Sequence, residues 1–170
     1  MMYEVIDNFF EPDELQRVIE YFEDVCIDNP KLFTGKDVWT PGLSENSQND
    51  TFIYHLDRII DNDIFDWLES YMISRFNKQP SNMRLYQYMP GSHIDWHRDG
   101  EKGGSASIYL NDNWKKEYGG LFLWREEDGS FRGELPKMNR CLQDLAGAVH
   151  STSPTYKTSP VRRSLQVFFK

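Results

Sequence analysis

Only two cysteines, Cys26 and Cys141, stand in 170 residues, too few for the disulfide framework of a small secreted domain. Long apolar runs are missing too: no stretch approaches the ~18 residues a membrane helix needs. The opening MMYEVIDNFFEPDEL has no basic segment leading into an apolar one, so no secretory signal is legible. The Asn49-Asp50-Thr51 sequon is then a chance match. These absences point to a soluble cytoplasmic protein with no membrane partner. Bases are outnumbered, 19 against 27 acids for a formal net charge of −8, which disfavours a main task of gripping phosphate backbones.

The length suits one core. A chain of this size buries roughly 70% of its unfolded surface, so residues 1–170 are expected to form a single domain. Aromatic residues make up 15%. The charge is unevenly spread: residues 1–80 carry 17 acids and 6 bases, a net −11, whereas residues 81–170 carry 10 acids and 13 bases, a net +3. An anionic ligand in the second half does not oppose the local field.

Tyr3–Ile6 reads as a short strand. Pro12 suits a first helical position, and Asp13 and Glu14 follow where the helix dipole favours anions. Leu15, Val18, Ile19, Phe22, Val25 and Cys26 recur at helical spacing, as do Ile64, Trp67, Leu68, Tyr71, Met72 and Phe76. Two amphipathic helices with core-facing stripes are predicted. Residues 28–50, with Pro30, Gly35, Pro41 and Gly42, read as a long polar loop: a lid, a binding loop or a disordered segment. From Asn82 the period becomes that of strands. MRLYQYM, SASIYLN, LFLW, RCLQDL and VRRSLQVFF are separated by turn signals such as Pro90-Gly91, Asp99-Gly100, Gly119-Gly120 and Asp128-Gly129. So many short strands imply a sandwich or barrel. The expected class is α+β, with residues 1–80 as helical support and possible lid, and residues 81–170 as a β core carrying the site.

Three of the four histidines lie in that β half. Two fall in His93-Ile94-Asp95-Trp96-His97-Arg98-Asp99-Gly100, which contains HxD twice. Residues two apart on a strand share a face, so either pair can bind one metal, with His150 from a neighbouring strand completing the set. Two histidines and one carboxylate leave open positions and suit non-haem iron(II). On one ideal strand His93, Asp95, His97 and Asp99 all point the same way.

The order of further motifs resembles one family, the 2-oxoglutarate and iron(II)-dependent oxygenases, in their prolyl 4-hydroxylase-like branch. Tyr88-Met89-Pro90-Gly91 is similar to its Y-x-P-G lead-in and His97-Arg98-Asp99-Gly100 to its H-x-D-G metal motif. Ile108-Tyr109-Leu110-Asn111 with Trp114 and Gly119-Gly120 is similar to its YLN…W…GG run. His150 followed by Arg162-Arg163-Ser164-Leu165 resembles its distal histidine and R-x-S-L strand. The likeness spans about 80 residues. It implies a double-stranded β-helix (jelly roll, cupin-like) core buttressed by the N-terminal helices, and it favours His97, Asp99 and His150 as metal ligands over His93 and Asp95.

The same resemblance implies Fe(II), 2-oxoglutarate and O2 as reactants, with ascorbate as an auxiliary reductant. The far carboxylate of 2-oxoglutarate needs a planar, bidentate partner, which an arginine supplies and a lysine does not. Arg162 and Arg163 point to opposite faces of a strand. The R-x-S-L match selects Arg162, with Ser164 on its face, although the interval of twelve residues from His150 exceeds the family's usual one and leaves Arg163 as the alternative. Tyr109 resembles the family's tyrosine that bonds this carboxylate. Tyr88 joins the group, with Tyr86 on the same face.

The implied reaction is hydroxylation of an unactivated C–H bond with release of succinate and CO2; retention of Asp99 speaks against halogenation. The implied substrate is a prolyl residue in a peptide or protein. Free proline or another small amino acid is the first alternative. Trp39 lies in the lid segment, and Trp96 and Trp124 flank motif strands where they could line a groove. A nucleic-acid demethylase of the same superfamily is disfavoured by a net charge of only +3 over residues 81–170. A zinc hydrolase or a non-catalytic cupin-like binder could use the same His-Asp-His set, but neither needs a dicarboxylate anchor such as Arg162 with Tyr109.

Overall fold

The computed structural model describes residues 1–26, 33–47, 51–100 and 103–170. The first half of the chain gives β1 (Tyr3–Ile6), α1 (Pro12–Cys26), β2 (Phe33–Thr34), α2 (Gly35–Val38), α3 (Pro41–Asn46), β3 (Thr51–His55) and α4 (Asn62–Phe76). The second half gives β4 (Pro80–Tyr88), β5 (Ile94–His97), β6 (Ser105–Tyr109), β7 (Phe122–Arg125) and β8 (Phe131–Glu134). It ends with β9 (Cys141–Asp144), β10 (His150–Thr152) and β11 (Arg162–Phe169). A seven-stranded sheet runs β1-β9-β6-β11-β4-β3-β2, and a four-stranded sheet runs β5-β10-β7-β8. All named pairings are antiparallel. The class is α+β with the double-stranded β-helix core that the motifs imply.

Strand alternation divides the major sheet into two chemistries. Leu165, Val167 and Phe169 of β11 share the outer face with Met83, Leu85, Ile108 and Cys141, where they pack on Val18 and Phe22 of α1 and Ile64, Leu68 and Met72 of α4. Each such side chain contributes ~1.5–3 kcal/mol on burial. The inner face instead carries Tyr86, Tyr88, Tyr109, Arg162 and Ser164. It closes against the minor sheet through Tyr3, Tyr109 and Leu142 packed on Phe122, Trp124 and Ala148. The helices therefore support one side of the sheet and leave the other for the site. α4 stops at Asn77, which takes the left-handed conformation (φ 52°) that a helix C-terminus favours.

Two expectations need correction. The first half is more than helical support: besides β1, the strand expected at Tyr3–Ile6, β2 and β3 also join the major sheet, and β3 pairs along β4 from Thr51 opposite Tyr88 to His55 opposite Arg84. Its alternating TFIYH run is too short to stand out against the polar residues before it. Nor is the stretch at 28–50 one loop. Residues 28–32 and 48–50 lie outside the described residues, but the rest folds into β2, α2 and α3. The Asp37 carboxylate accepts from both the N–H and the hydroxyl of Thr34, which fixes the start of α2. Among the described residues no helix is long and apolar enough to cross a membrane.

Candidate active site

β5 and β10 are neighbours, and His97 lies directly opposite His150, their ring centroids 4.3 Å apart. Asp99 follows β5 at once. Its Oδ1 stands 3.8 Å from His97 Nε2 and 3.7 Å from His150 Nε2. The ligand atoms of the three residues all lie within 4.8 Å of one another. Their orientation has a local cause. His97 Nδ1 faces the Asp95 carbonyl at 2.7 Å and His150 Nδ1 faces the Ala148 carbonyl at 2.9 Å, so with Nδ1 carrying the hydrogen each Nε2 lone pair is turned to the common centre. The Tyr3 hydroxyl lies 3.2 Å from His150 Nδ1 as a further contact. Ser105 Oγ donates to Asp99 Oδ2 at 2.7 Å and leaves Oδ1 for the centre. Burial, reinforced by His150, holds the His97 pKa below its ordinary value and keeps the ring neutral.

His93 and Asp95 do not join this cluster. Ile94 pairs with Thr152 while His97 pairs with His150, so three steps on β5 match two on β10. This bulge breaks the alternation that would have aligned His93, Asp95, His97 and Asp99 on one face. Ile94 and His97 face the cavity. His93 Nε2 instead meets the Asn46 carbonyl at 3.2 Å, and the Asp95 N–H donates to Ser47 Oγ at 3.0 Å. Both tie β5 to the end of α3.

A cavity of about 190 Å³ opens beside the triad, walled by Trp39 and Leu43 of the α2–α3 segment, Tyr86 and Tyr88 of β4, and Gln166 and Phe168 of β11. Trp39 reaches this wall over Gly35, where an added Cβ would meet its ring at 2.6 Å. Of the other tryptophans named from sequence, Trp124 is buried against Tyr3. Trp96 is 41% exposed and packs on Phe131. Neither lines the cavity.

Beside the cavity, on the same inner face, is a second polar group. Arg162 is 1% exposed, and its guanidinium lies 4.7 Å from the Tyr88 ring and 4.9 Å from the Tyr109 ring. Its Nε and Nη1, the Tyr109 hydroxyl and Ser164 Oγ are all buried without a hydrogen-bond partner, as is Thr51 Oγ1 on the neighbouring strand. Unmatched buried donors of this kind cost ~1–3 kcal/mol each, more when charged. The register brings them together: Arg162 pairs with Tyr88, and Ser164 pairs with Tyr86 on one side and Tyr109 on the other. Burial pushes the Tyr109 hydroxyl up to about 12 against the pull of Arg162, so it stays a donor at neutral pH. Arg163 points away, over Phe22, with Glu23 at 3.4 Å.

Two residues of the YLN…W…GG run have a mechanical role here. Asn111 brackets Arg162, donating to the Val161 carbonyl at 2.7 Å and accepting from the Arg163 N–H. Gly120, at φ +67°, lets the chain pass so close that an added Cβ would come within 3.2 Å of Arg162 Cδ. Sequence reasoning missed Tyr3 and Thr51. Neither stands in a motif, and only the pairing of β1 with β9 and of β3 with β4 carries them to the inner face.

Two facing sheets around an open His–Asp–His centre define a non-haem metal enzyme of the jelly-roll class. The 2OG-Fe(II) oxygenase superfamily profile matches residues 83–170, just over half of the chain, and the chain belongs to that superfamily. It is a 2-oxoglutarate-dependent dioxygenase that uses Fe(II), 2-oxoglutarate and O2. The donor set fits the metal, and a buried guanidinium with Nε and Nη1 unmatched, beside neutral hydroxyl donors, fits a carboxylate. Among solved structures, a Pseudomonas putida prolyl-4-hydroxylase is similar at TM-score 0.75 and 19% identity, over 99% of this chain and 93% of that one. A Trichoplax adhaerens prolyl hydroxylase, in complex with a hypoxia inducible factor oxygen degradation domain peptide fragment, gives 0.73 and 17%, over 99% and 83%. The viral collagen prolyl hydroxylase of Paramecium Bursaria Chlorella virus-1, in complex with 2-oxoglutarate, gives 0.66 and 15%, over 99% and 95%. At these identities the likeness is one of fold. Comparison with curated proteins finds no match.

Proposed function

We propose that this dioxygenase hydroxylates a prolyl residue of a peptide or protein, releasing succinate and CO2. In this reading His97, Asp99 and His150 hold Fe(II), and Arg162 with Tyr109, Ser164 and Tyr88 holds the far carboxylate of 2-oxoglutarate. Residues 1–170 act as one domain. The observation that carries the cosubstrate assignment is the group of unmatched donors on Arg162, Tyr109 and Ser164, enclosed on the inner face of the major sheet, which faces the minor sheet that carries His97 and His150. A hydrolase or a simple metal binder has no use for it.

Bound iron and 2-oxoglutarate supply the oxidant made from O2; the chain supplies placement. Main-chain carbonyls hold the two imidazoles in one tautomer, Ser105 orients Asp99, and Asn111 and Gly120 hold Arg162. Tyr86 and Tyr88, stacked at 5.8 Å, and Trp39 give the cavity an aromatic wall that suits a compact, apolar pyrrolidine ring. The fold shared with prolyl hydroxylases, one of them with a bound peptide, supports the substrate class. A cytoplasmic setting, with Cys141 as a free buried thiol, belongs to the same reading.

Two measurements test it. Anaerobic Fe(II) with 2-oxoglutarate is expected to give the weak visible charge-transfer band of the chelate. A succinate-coupled screen of proline-containing peptides against free L-proline is then expected to favour peptides. Turnover of free proline alone would replace the peptide reading by the small-molecule one. Absence of both band and succinate would overturn the ligand assignment.

A further inference from the structure

Arg84 extends from β4 into the same cavity. Register places it in a row that crosses the inner face as His55, Arg84, Gln166 and Ser107, next to the row holding Tyr86, Ser164 and Tyr109. Ser107 Oγ donates to Gln166 Oε1 at 2.8 Å, so that pair is satisfied. Arg84 is not. Its Nε donates to Asn82 Oδ1 at 3.1 Å, its Nη1 lies a marginal 3.5 Å from the Tyr86 hydroxyl, and its guanidinium rests 4.8 Å from the Phe168 ring.

Among the described residues no carboxylate lies within 4.0 Å of Arg84; Arg58, Arg132, Arg140 and Arg163 each have one, and Arg17, Arg75, Arg98, Arg125 and Arg162 do not. What sets Arg84 apart is its place on the cavity wall. Asp99, the one carboxylate among the described residues that line the cavity, is engaged by Ser105 and faces the histidines. The other arginine on the wall, Arg98, is exposed and donates to the Gly147 carbonyl. Arg84 is thus a half-buried cation with no counter-ion among the described residues, braced by Asn82 and Phe168 where it lines the space the substrate must enter. A braced guanidinium is preorganised to take a carboxylate in two parallel hydrogen bonds.

We propose that Arg84 receives a carboxylate of the molecule being oxidised, so that the substrate class is anionic. The inference rests on the cavity being the dioxygenase's substrate site, as proposed above. The carboxylate comes either from a free α-carboxyl, on an amino acid or a C-terminal residue, or from an acidic side chain beside the reacting residue.

Paired acid and amide probes separate these sources. The probes are N-acetyl-L-proline and its amide, a tetrapeptide with internal Pro-Asp and its Pro-Asn counterpart, and N-acetyl-L-leucine and its amide. Anaerobic binding to the Fe(II)- and 2-oxoglutarate-loaded protein is read by tryptophan fluorescence, and hydroxylation by mass. The wild type is expected to prefer the acid by about 10- to 100-fold in at least one pair, the worth of a hydrogen bond to a charged group. The pair that shows the preference identifies the source. Arg84→Gln is expected to abolish the preference and Arg84→Lys to keep part of it. Unchanged 2-oxoglutarate affinity in both variants shows that the fold and anchor are intact.

Equal binding of acid and amide by the wild type, or a preference that survives Arg84→Gln, overturns the proposal. Turnover of prolyl probes without acid preference would do so while leaving the prolyl reading standing. An Arg84-dependent preference seen only with the leucine pair supports the role of Arg84 and removes the prolyl substrate. No binding of any probe overturns both.

Discussion

The two sheets that face the cavity differ in how completely their polar groups are satisfied. On the minor-sheet side each histidine has its outer nitrogen on a main-chain carbonyl and Asp99 has Ser105. On the major-sheet side Arg162, Tyr109 and Ser164 are buried with donors unmatched. On the first side the outer atoms are held by the protein and the inner ones, the two Nε2 atoms and Asp99 Oδ1, converge for a metal; on the second the protein leaves the donors of an anion site unmatched. A buried network with missing partners is costly, so cosubstrate binding should be coupled to folding stability through the major sheet, as metal binding is through the triad.

The largest expected effect is on the minor-sheet side. Asp99→Ala should abolish Fe(II) binding and lower turnover by more than about 100-fold, since loss of an outer partner alone typically costs 10–100-fold. Asp95→Ala should leave iron binding intact, because its carboxylate lies outside the triad. Iron titration of both variants checks this, and the reverse outcome would move the centre to the first HxD.

Next comes the major-sheet side. Arg162→Gln should raise the KM for 2-oxoglutarate by about 10- to 100-fold while Fe(II) still binds; Arg163→Gln, on the opposite face, should not. A thermodynamic signature accompanies this. Wild-type protein should gain about 2.7 kcal/mol from 2-oxoglutarate at a hundred times its Kd, and Arg162→Gln should lose that gain at the same concentration. Without cosubstrate, Arg162→Met should be no less stable than wild type, because a desolvated, unpaired cation has been replaced by an apolar chain of similar length. A loss of several kcal/mol there would show that the guanidinium is already paired and would erase the contrast between the sheets.

A smaller effect tests the support of the minor sheet's His150 by Tyr3 of β1. Tyr3→Phe removes only the hydroxyl beside His150 Nδ1 and leaves the Ala148 carbonyl in place. About a tenfold loss of metal affinity is expected, at the low end for outer partners. No change would mean that the carbonyl alone sets the tautomer.

Local chemistry decides what was legible from sequence. The stripes of α1 and α4 and the alternation of β11 are period signals, and they survive because one face of each element is buried. His97, Asp99, His150 and Arg162 were singled out by the order of family-like motifs, with Arg163 left as the alternative to Arg162. What was hidden depends on long-range pairing. The bulge that turns His93 and Asp95 away exists only because β5 pairs with β10, and Thr51 reaches the inner face only through β4. The α2–α3 segment was read as loop because its helices are four and six residues long, too short for periodicity to register. Arg84 looked like an ordinary strand-surface charge, and only the register puts it in the cavity.

The smallest effect concerns a paired arginine set against the unpaired Arg162. Arg140, whose carbonyl accepts the Tyr109 N–H, holds Asp7 with two hydrogen bonds of 2.7 and 3.0 Å. The hydrogen bond from Arg140 is the main cause that depresses the Asp7 pKa below its ordinary value. A carboxylate with a depressed folded-state pKa adds stability that is fully present above its unfolded value near 3.8 and is lost as pH falls through the folded one. Asp7 is 42% exposed, so solvent screening limits the contribution to about 0.5–1 kcal/mol. Asp7→Asn should therefore be slightly less stable than wild type at pH 7, and the two should converge in acid. Denaturant unfolding at pH 7 and pH 3 reads the difference directly. A gap that stays constant with pH would assign it to hydrogen bonding that asparagine cannot reproduce, and not to the charge.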